Sequence, residues 1–188
     1  MKKLVILIVA IIGIAFPITA QEITVDKVEQ DGTRFIFCSE INPNRIFDKI
    51  KVFPFLSASQ TKDGDVIYEL MMRIPSSIPI SMNKGAILLI KTGNDEVITL
   101  YNNSSCEDKI GTYIASLKST NYNITATYTI KEEDLIKFYD GIKKLRFETS
   151  LDVQDKEFKS DKIGHEIMKE YELIKASLSK QKNITDGF

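Results

Sequence analysis

Val66-Ile67-Tyr68-Glu69-Leu70-Met71-Met72-Arg73-Ile74 is the stretch on which the fold class turns. Val66, Tyr68, Leu70, Met72 and Ile74 fall at every second position. That is the period of a β-strand laying one face on a core and the other toward water. Glu69 and Arg73 share the opposite face with Met71. A second stretch repeats the pattern: Tyr122, Ile124, Ala126, Tyr128 and Ile130 alternate with Asn and Thr.

Outward from these two strands, turn residues punctuate the chain. Asp63-Gly64 leads into the first, and Asp31-Gly32 separates Ile23–Glu29 from Thr33–Ser39, a short-range hairpin signal. Asn42-Pro43-Asn44 precedes a strand from Ile50 to about Ala58. Pro54 inside it argues for an edge position or a bulge, since proline donates no ladder hydrogen bond. Pro75 to Lys84 reads as an irregular crossing. Ala86 to Ile90 is apolar on both faces and so is expected to be central and covered on both sides. Glu96–Tyr101, Tyr113–Leu117 and Ile142–Glu148 bring the strands to about nine. Within the last, Leu145 and Phe147 point inward.

Helical signals come late. Thr129 and Glu132 have capping-box spacing, Glu132-Glu133-Asp134 complements a helix start, and Gly141 stops it. Ser160 or Asp161 caps a longer helix to about Leu178, with Ile163, Ile167, Tyr171, Ile174 and Leu178 as its apolar stripe. The class predicted is α+β, a mostly antiparallel sheet or sandwich with two helices in the C-terminal half.

Residues 1–20 carry an address. Lys2 and Lys3, the apolar run Leu4–Phe16, Pro17 and the small residue Ala20 follow the order of a cleavable secretory signal peptide. Cleavage after Ala20 would leave a domain over residues 21–180 and a frayed tail over 181–188. Gln21 stands where a lipoprotein would need Cys, so the expectation is a soluble periplasmic or secreted protein with no membrane span. Setting aside Lys2 and Lys3 takes the 25 basic residues to 23 against 26 acidic, a net charge of −3 with His165 neutral. That balance disfavours a nucleic-acid partner. Export permits a disulfide, and Cys38 and Cys106 are the candidate pair. The alternative is two unpaired thiols, one of them buried.

No catalytic pattern emerges. His165-Glu166 begins like a zinc-protease motif, but Lys169 replaces the second His, and His165 reads as solvent-facing. No G-x-S-x-G turn exists. Glu69 is the most interesting acid for carboxylate chemistry, although an outward-facing diagonal pair with Arg73 is the simpler reading. Asp63-Gly64-Asp65 lacks the remaining ligands of a calcium loop. Asp152, Asp155, Glu157 and Asp161 crowd a loop whose spacing matches no cation cage. No catalytic residue, metal ligand or cofactor is assigned.

Four segments carry a resemblance: Lys84–Lys91, Tyr128–Ile130 with the helix to Gly141, Ile142–Glu148, and Phe158–Gly164. Over about half the chain beyond residue 20, they resemble small exported proteins from anaerobic Gram-negative bacteria, a family without known activity. The resemblance implies an envelope location and transfers no site residue. The functional expectation is a domain that binds an envelope protein or a small ligand. The alternatives are a carboxylate-based hydrolase of cell-wall or dietary polymers, and a structural subunit of a surface assembly. A protein–ligand contact is expected at the sheet edge near Pro54 or in the Pro75–Lys84 crossing.

Overall fold

The computed structural model describes residues 21–46, 48–159 and 162–185, with side chains to residue 180. The leader expected over residues 1–20, the cap expected at Ser160 or Asp161 and the last three residues lie outside the described residues. The fold is α+β and every strand pair is antiparallel.

Six strands form the larger sheet. They are β1 (Ile23–Val28), β2 (Arg34–Cys38), β3 (Phe53–Gln60), β4 (Val66–Ser76), β9 (Thr112–Ile114) and β10 (Ser119–Ile130), in the order β1-β2-β3-β4-β10-β9. The alternation read from Val66–Ile74 holds: Tyr68, Leu70, Met72 and Ile74 are buried, while Ile67 is exposed. The Asp31-Gly32 hairpin also forms, with Gly32 at φ 87°, a left-handed geometry that suits glycine. The smaller sheet runs β12 (Val153–Glu157), β11 (Ile142–Glu148), β6 (Ile87–Thr92) and β7 (Val97–Tyr101). β5 (Ile80–Met82) and β8 (Cys106–Asp108) pair with each other.

Asn102 joins the two sheets into one curled surface. Its backbone N–H donates to Ala86 at the head of β6 (2.9 Å), and it forms an isolated bridge to Tyr128 on β10. Its buried side chain donates to the carbonyls of Asn83 (3.0 Å) and Ser104 (2.6 Å) and accepts from the Thr127 N–H (3.2 Å).

Inside the curl lies α2 (Lys162–Thr185), preceded in the chain by the short α1 (Glu132–Leu135) and a 3₁₀ turn over Ile136–Asp140. Ile163, Ile167, Met168, Tyr171 and Ile174 of α2 are buried, and Leu178 packs partly buried against the core. The first turn of α2 approaches the 3₁₀ segment closely enough that a Cβ on Gly164 would stand 2.5 Å from the Phe138 carbonyl oxygen.

Several expectations change. Pro54 is not on an edge strand: β3 lies between β2 and β4, and Pro54 is buried. It is tolerated because β2 has already left the ladder there; the Pro54 carbonyl accepts from Ile41 instead (2.9 Å). β6 is central, but only Leu88, Ile90 and Thr92 are buried, while Ile87 is 42% exposed, so one face stays uncovered. Thr129 caps nothing: it ends in β10, Lys131 is the N-cap, and no side chain caps the helix. The helix from Lys162 runs past Leu178 to Thr185. Tyr113–Leu117 shortens to Thr112–Ile114 before a turn. The acidic loop over 152–157 is largely strand β12, paired to β11.

Replacing Asn102 by Ala removes three buried hydrogen bonds and orphans their backbone partners. Urea denaturation is expected to show a loss of about 1–3 kcal/mol. A variant as stable as wild type would contradict the role of Asn102 as the joint.

Candidate functional site

The helix fills the curl incompletely, and a cleft opens at each end. The larger, about 900 Å³, lies between the β4 and β10 ends and the later turns of α2. Val66, Ile67, Ile130 and Leu178 supply its apolar lining, and Tyr68, Asp65, Lys131, Glu132 and Lys175 its polar groups.

A hydrogen-bonded cluster stands at the back of this cleft. The Tyr171 hydroxyl donates to the Glu132 carboxylate, and the Lys175 ammonium donates to the Tyr171 oxygen (3.0 Å) while lying 3.5 Å from Glu132. Lys175 also sits 4.9 Å above the Tyr171 ring centre. The Tyr68 and Tyr171 rings meet tilted, 5.4 Å apart. Burial, with the Glu132 charge next, pushes the Tyr68 phenol up to about 12 and raises Tyr171 as well. Lys175 is raised by its bond to Tyr171. Both phenols therefore stay protonated and Lys175 stays charged at neutral pH, so the cluster offers fixed hydrogen bonds and a balanced ion pair rather than a poised base. Sequence periodicity marks Tyr171 as core; its i+4 spacing to Lys175 was visible, but the partner Glu132 comes from a distant element.

The smaller cleft, about 360 Å³, lies beside the first turns of α2, between residues 41–48 and the end of β12. Its carboxylates are engaged. Asp48 bonds Lys156 and is held low by the Arg45 backbone N–H and then by Lys156. Glu157 pairs with Lys144 (3.5 Å), and Glu166 with Lys169 (2.7 Å).

Other residues singled out by sequence fall elsewhere. Glu69 and Arg73 do share the outer face, but they do not pair: Glu69 accepts from Asn103 (3.0 Å), and Arg73 clasps Glu40 through two bonds (2.6 and 2.7 Å) over the Phe53 ring. Asp155 is held low by Arg146 and Lys144, so this acid of the expected cluster is a strand residue in an ion-pair ladder. His165 is exposed on α2. Among the described residues no group of three His, Cys, Asp or Glu side chains is placed to hold a metal ion.

Cys38 and Cys106 are separate thiols. Cys38 is buried, its Sγ 3.9 Å from the Glu170 carbonyl, and burial pushes it up to about 12. Cys106 sits on β8 opposite Met82.

No protein-family model, curated protein or solved structure matches this chain.

Thiol labelling is expected to modify Cys106 in the native protein and Cys38 only after denaturation, with an unreduced mass that carries both thiols. A mass two hydrogens lighter, with neither thiol reactive, would show a bridge that this geometry does not contain.

Proposed function

We propose that this chain is an exported domain that binds a small amphipathic ligand in the larger cleft beside α2. The observation that carries this reading is the cleft's composition. Its apolar residues would contact a hydrocarbon or ring body, and its charges balance, with Lys131 and Lys175 against Asp65 and Glu132. A site without net charge favours a ligand whose polar head is uncharged. Tyr68 adds a protonated phenol whose ring is anchored against Tyr171. The leader-like residues 1–20 support export.

Hydrolysis by paired carboxylates has less support. Glu132 is occupied by Tyr171 and Lys175, and Glu157 and Glu166 of the smaller cleft are bonded to Lys144 and Lys169, so the acids of both clefts are already engaged with other side chains. Among the described residues no helix is long and apolar enough to cross a membrane.

Octyl glucoside below its micelle concentration is a suitable probe, having an apolar chain and an uncharged head. Amide NMR shifts are expected at Ile67, Ile130 and Ser179, weakened at least several-fold by Ile67→Arg, which places a charge on the apolar wall. Shifts scattered over the outer face of the large sheet, or unaffected by the variant, would refute the site.

A further inference from the structure

The β2–β3 ladder contains a gap, and a carboxylic acid fills it. Register pairs Phe37 with Ser57 and Ile36 with Ala58, so the next rung would join Cys38 to Leu56. β2 turns away there. In an antiparallel ladder alternate residues of one strand bond the same neighbour, so the Leu56 N–H is left facing the departed strand. Glu170 of α2 supplies the acceptor: its Oε2 takes the Leu56 N–H at 2.7 Å. Glu170 is fully buried, and its Oε1 has no hydrogen-bond partner among the described residues.

Among the described residues no cation is paired with this carboxyl. From β2 the Cys38 thiol, itself uncharged, donates to the Glu170 backbone carbonyl rather than to the carboxyl. β3, Phe53–Gln60, contains no charged residue. On α2 the charge that bears on it is Glu166, one turn earlier, which repels a second negative charge, while the adjacent Lys169 is bonded to Glu166. Asp26 of β1 is committed to Arg34 and Ser177 farther along the helix. On β11, Arg146 binds Asp155 and Lys144 lies with it, while Lys143 bonds Asp95. The Lys137 ammonium of the 3₁₀ segment bonds Asp134.

We propose that α2 is a proton-held latch: the neutral Glu170 carboxyl seats the helix in the curled sheet, and loss of its proton unseats it. Ionisation would leave a carboxylate in an apolar site with a single N–H to receive it, and the structure relieves that charge by letting the helix lift toward water. The same helix walls both clefts, through Glu166 at one and Lys175 and Leu178 at the other. Both lose a wall when it moves. The device is therefore a pH-sensitive opening of the binding surfaces, whatever they bind.

Burial pushes the Glu170 carboxyl up to about 9, against the opposing pull of the Leu56 N–H. Between the ordinary carboxylate value of 4.5 and that value, the folded chain keeps a proton that the unfolded chain has released. Stability contributed by this group is full below 4.5 and is lost as pH rises toward 9.

The test compares unfolding of the full chain with that of Glu170→Gln, which keeps the shape and the acceptor for Leu56 but has no proton to lose. Between pH 5.5 and 8.5 the wild-type unfolding constant is expected to rise by up to about tenfold per pH unit relative to the variant's. Parallel pH profiles would overturn the latch. A second measurement uses wild type alone: limited trypsinolysis at pH 6.5 and 9, normalised to a peptide substrate. Cleavage at Lys169 and Lys175 is expected to increase ahead of cleavage at Lys144 and Arg146. An equal increase at all four sites, or none, would overturn the proposal even if the variant failed to fold.

Discussion

The hydrogen bond from Leu56 to the Glu170 carboxyl is the contact on which the interior is arranged. A buried N–H without an acceptor costs about as much as a lost hydrogen bond, and a sheet ordinarily avoids this by continuing its ladder. Here β2 leaves β3 after Phe37, and a helix side chain takes the place of the missing strand. That fixes how deeply α2 sits and which face it turns inward. Its far half is held by the Arg34–Asp26 pair, where Arg34 also donates to Ser177 (2.8 Å). Its near end is fixed by the tight approach of Gly164 to the 3₁₀ turn. The curl closed by Asn102 then supplies inward side chains from both sheets to cover the helix.

Most of the strands were legible because their signals are local. Val66–Ile74 and Tyr122–Ile130 alternate, Asp31-Gly32 turns, and the α2 stripe repeats at helical spacing. Three strands escaped. β5 and β8 are three residues each and exist only because they pair with one another across a long separation. β12 is polar after its exposed first residue, Val153-Gln154-Asp155-Lys156-Glu157, and its strand character comes from partners on β11 rather than from an apolar face. Its acids read as a crowded acidic loop because their cations, Lys144 and Arg146, lie on the neighbouring strand. Pro54 misled for a related reason. Proline excludes a ladder bond, and that exclusion marks the end of a neighbour as readily as the edge of a sheet.

The candidate site was less legible than the fold. Tyr171 fits the apolar stripe, and nothing local distinguishes it from Ile167 or Ile174; its hydroxyl finds a role only when α1 brings Glu132 beside it. Glu170 sits one residue from that stripe, and a glutamate on a helix is read by default as solvated. Only the departure of β2 at Cys38, a tertiary event, gives its carboxyl a reason to be buried. The clefts arise where a straight helix meets a curved sheet, and a one-dimensional pattern does not record curvature.

The protonation state of Glu170 tests this arrangement most directly. The side-chain carboxyl ¹³C shift of Glu170, followed by NMR from pH 4 to 9 with the protein folded, is expected to stay at the neutral-acid position through pH 7 and to move only as the pH nears 9. A carboxylate shift already present at pH 6, with an ordinary midpoint near 4.5, would show that the acid is solvated and that the Leu56 contact does not seat the helix.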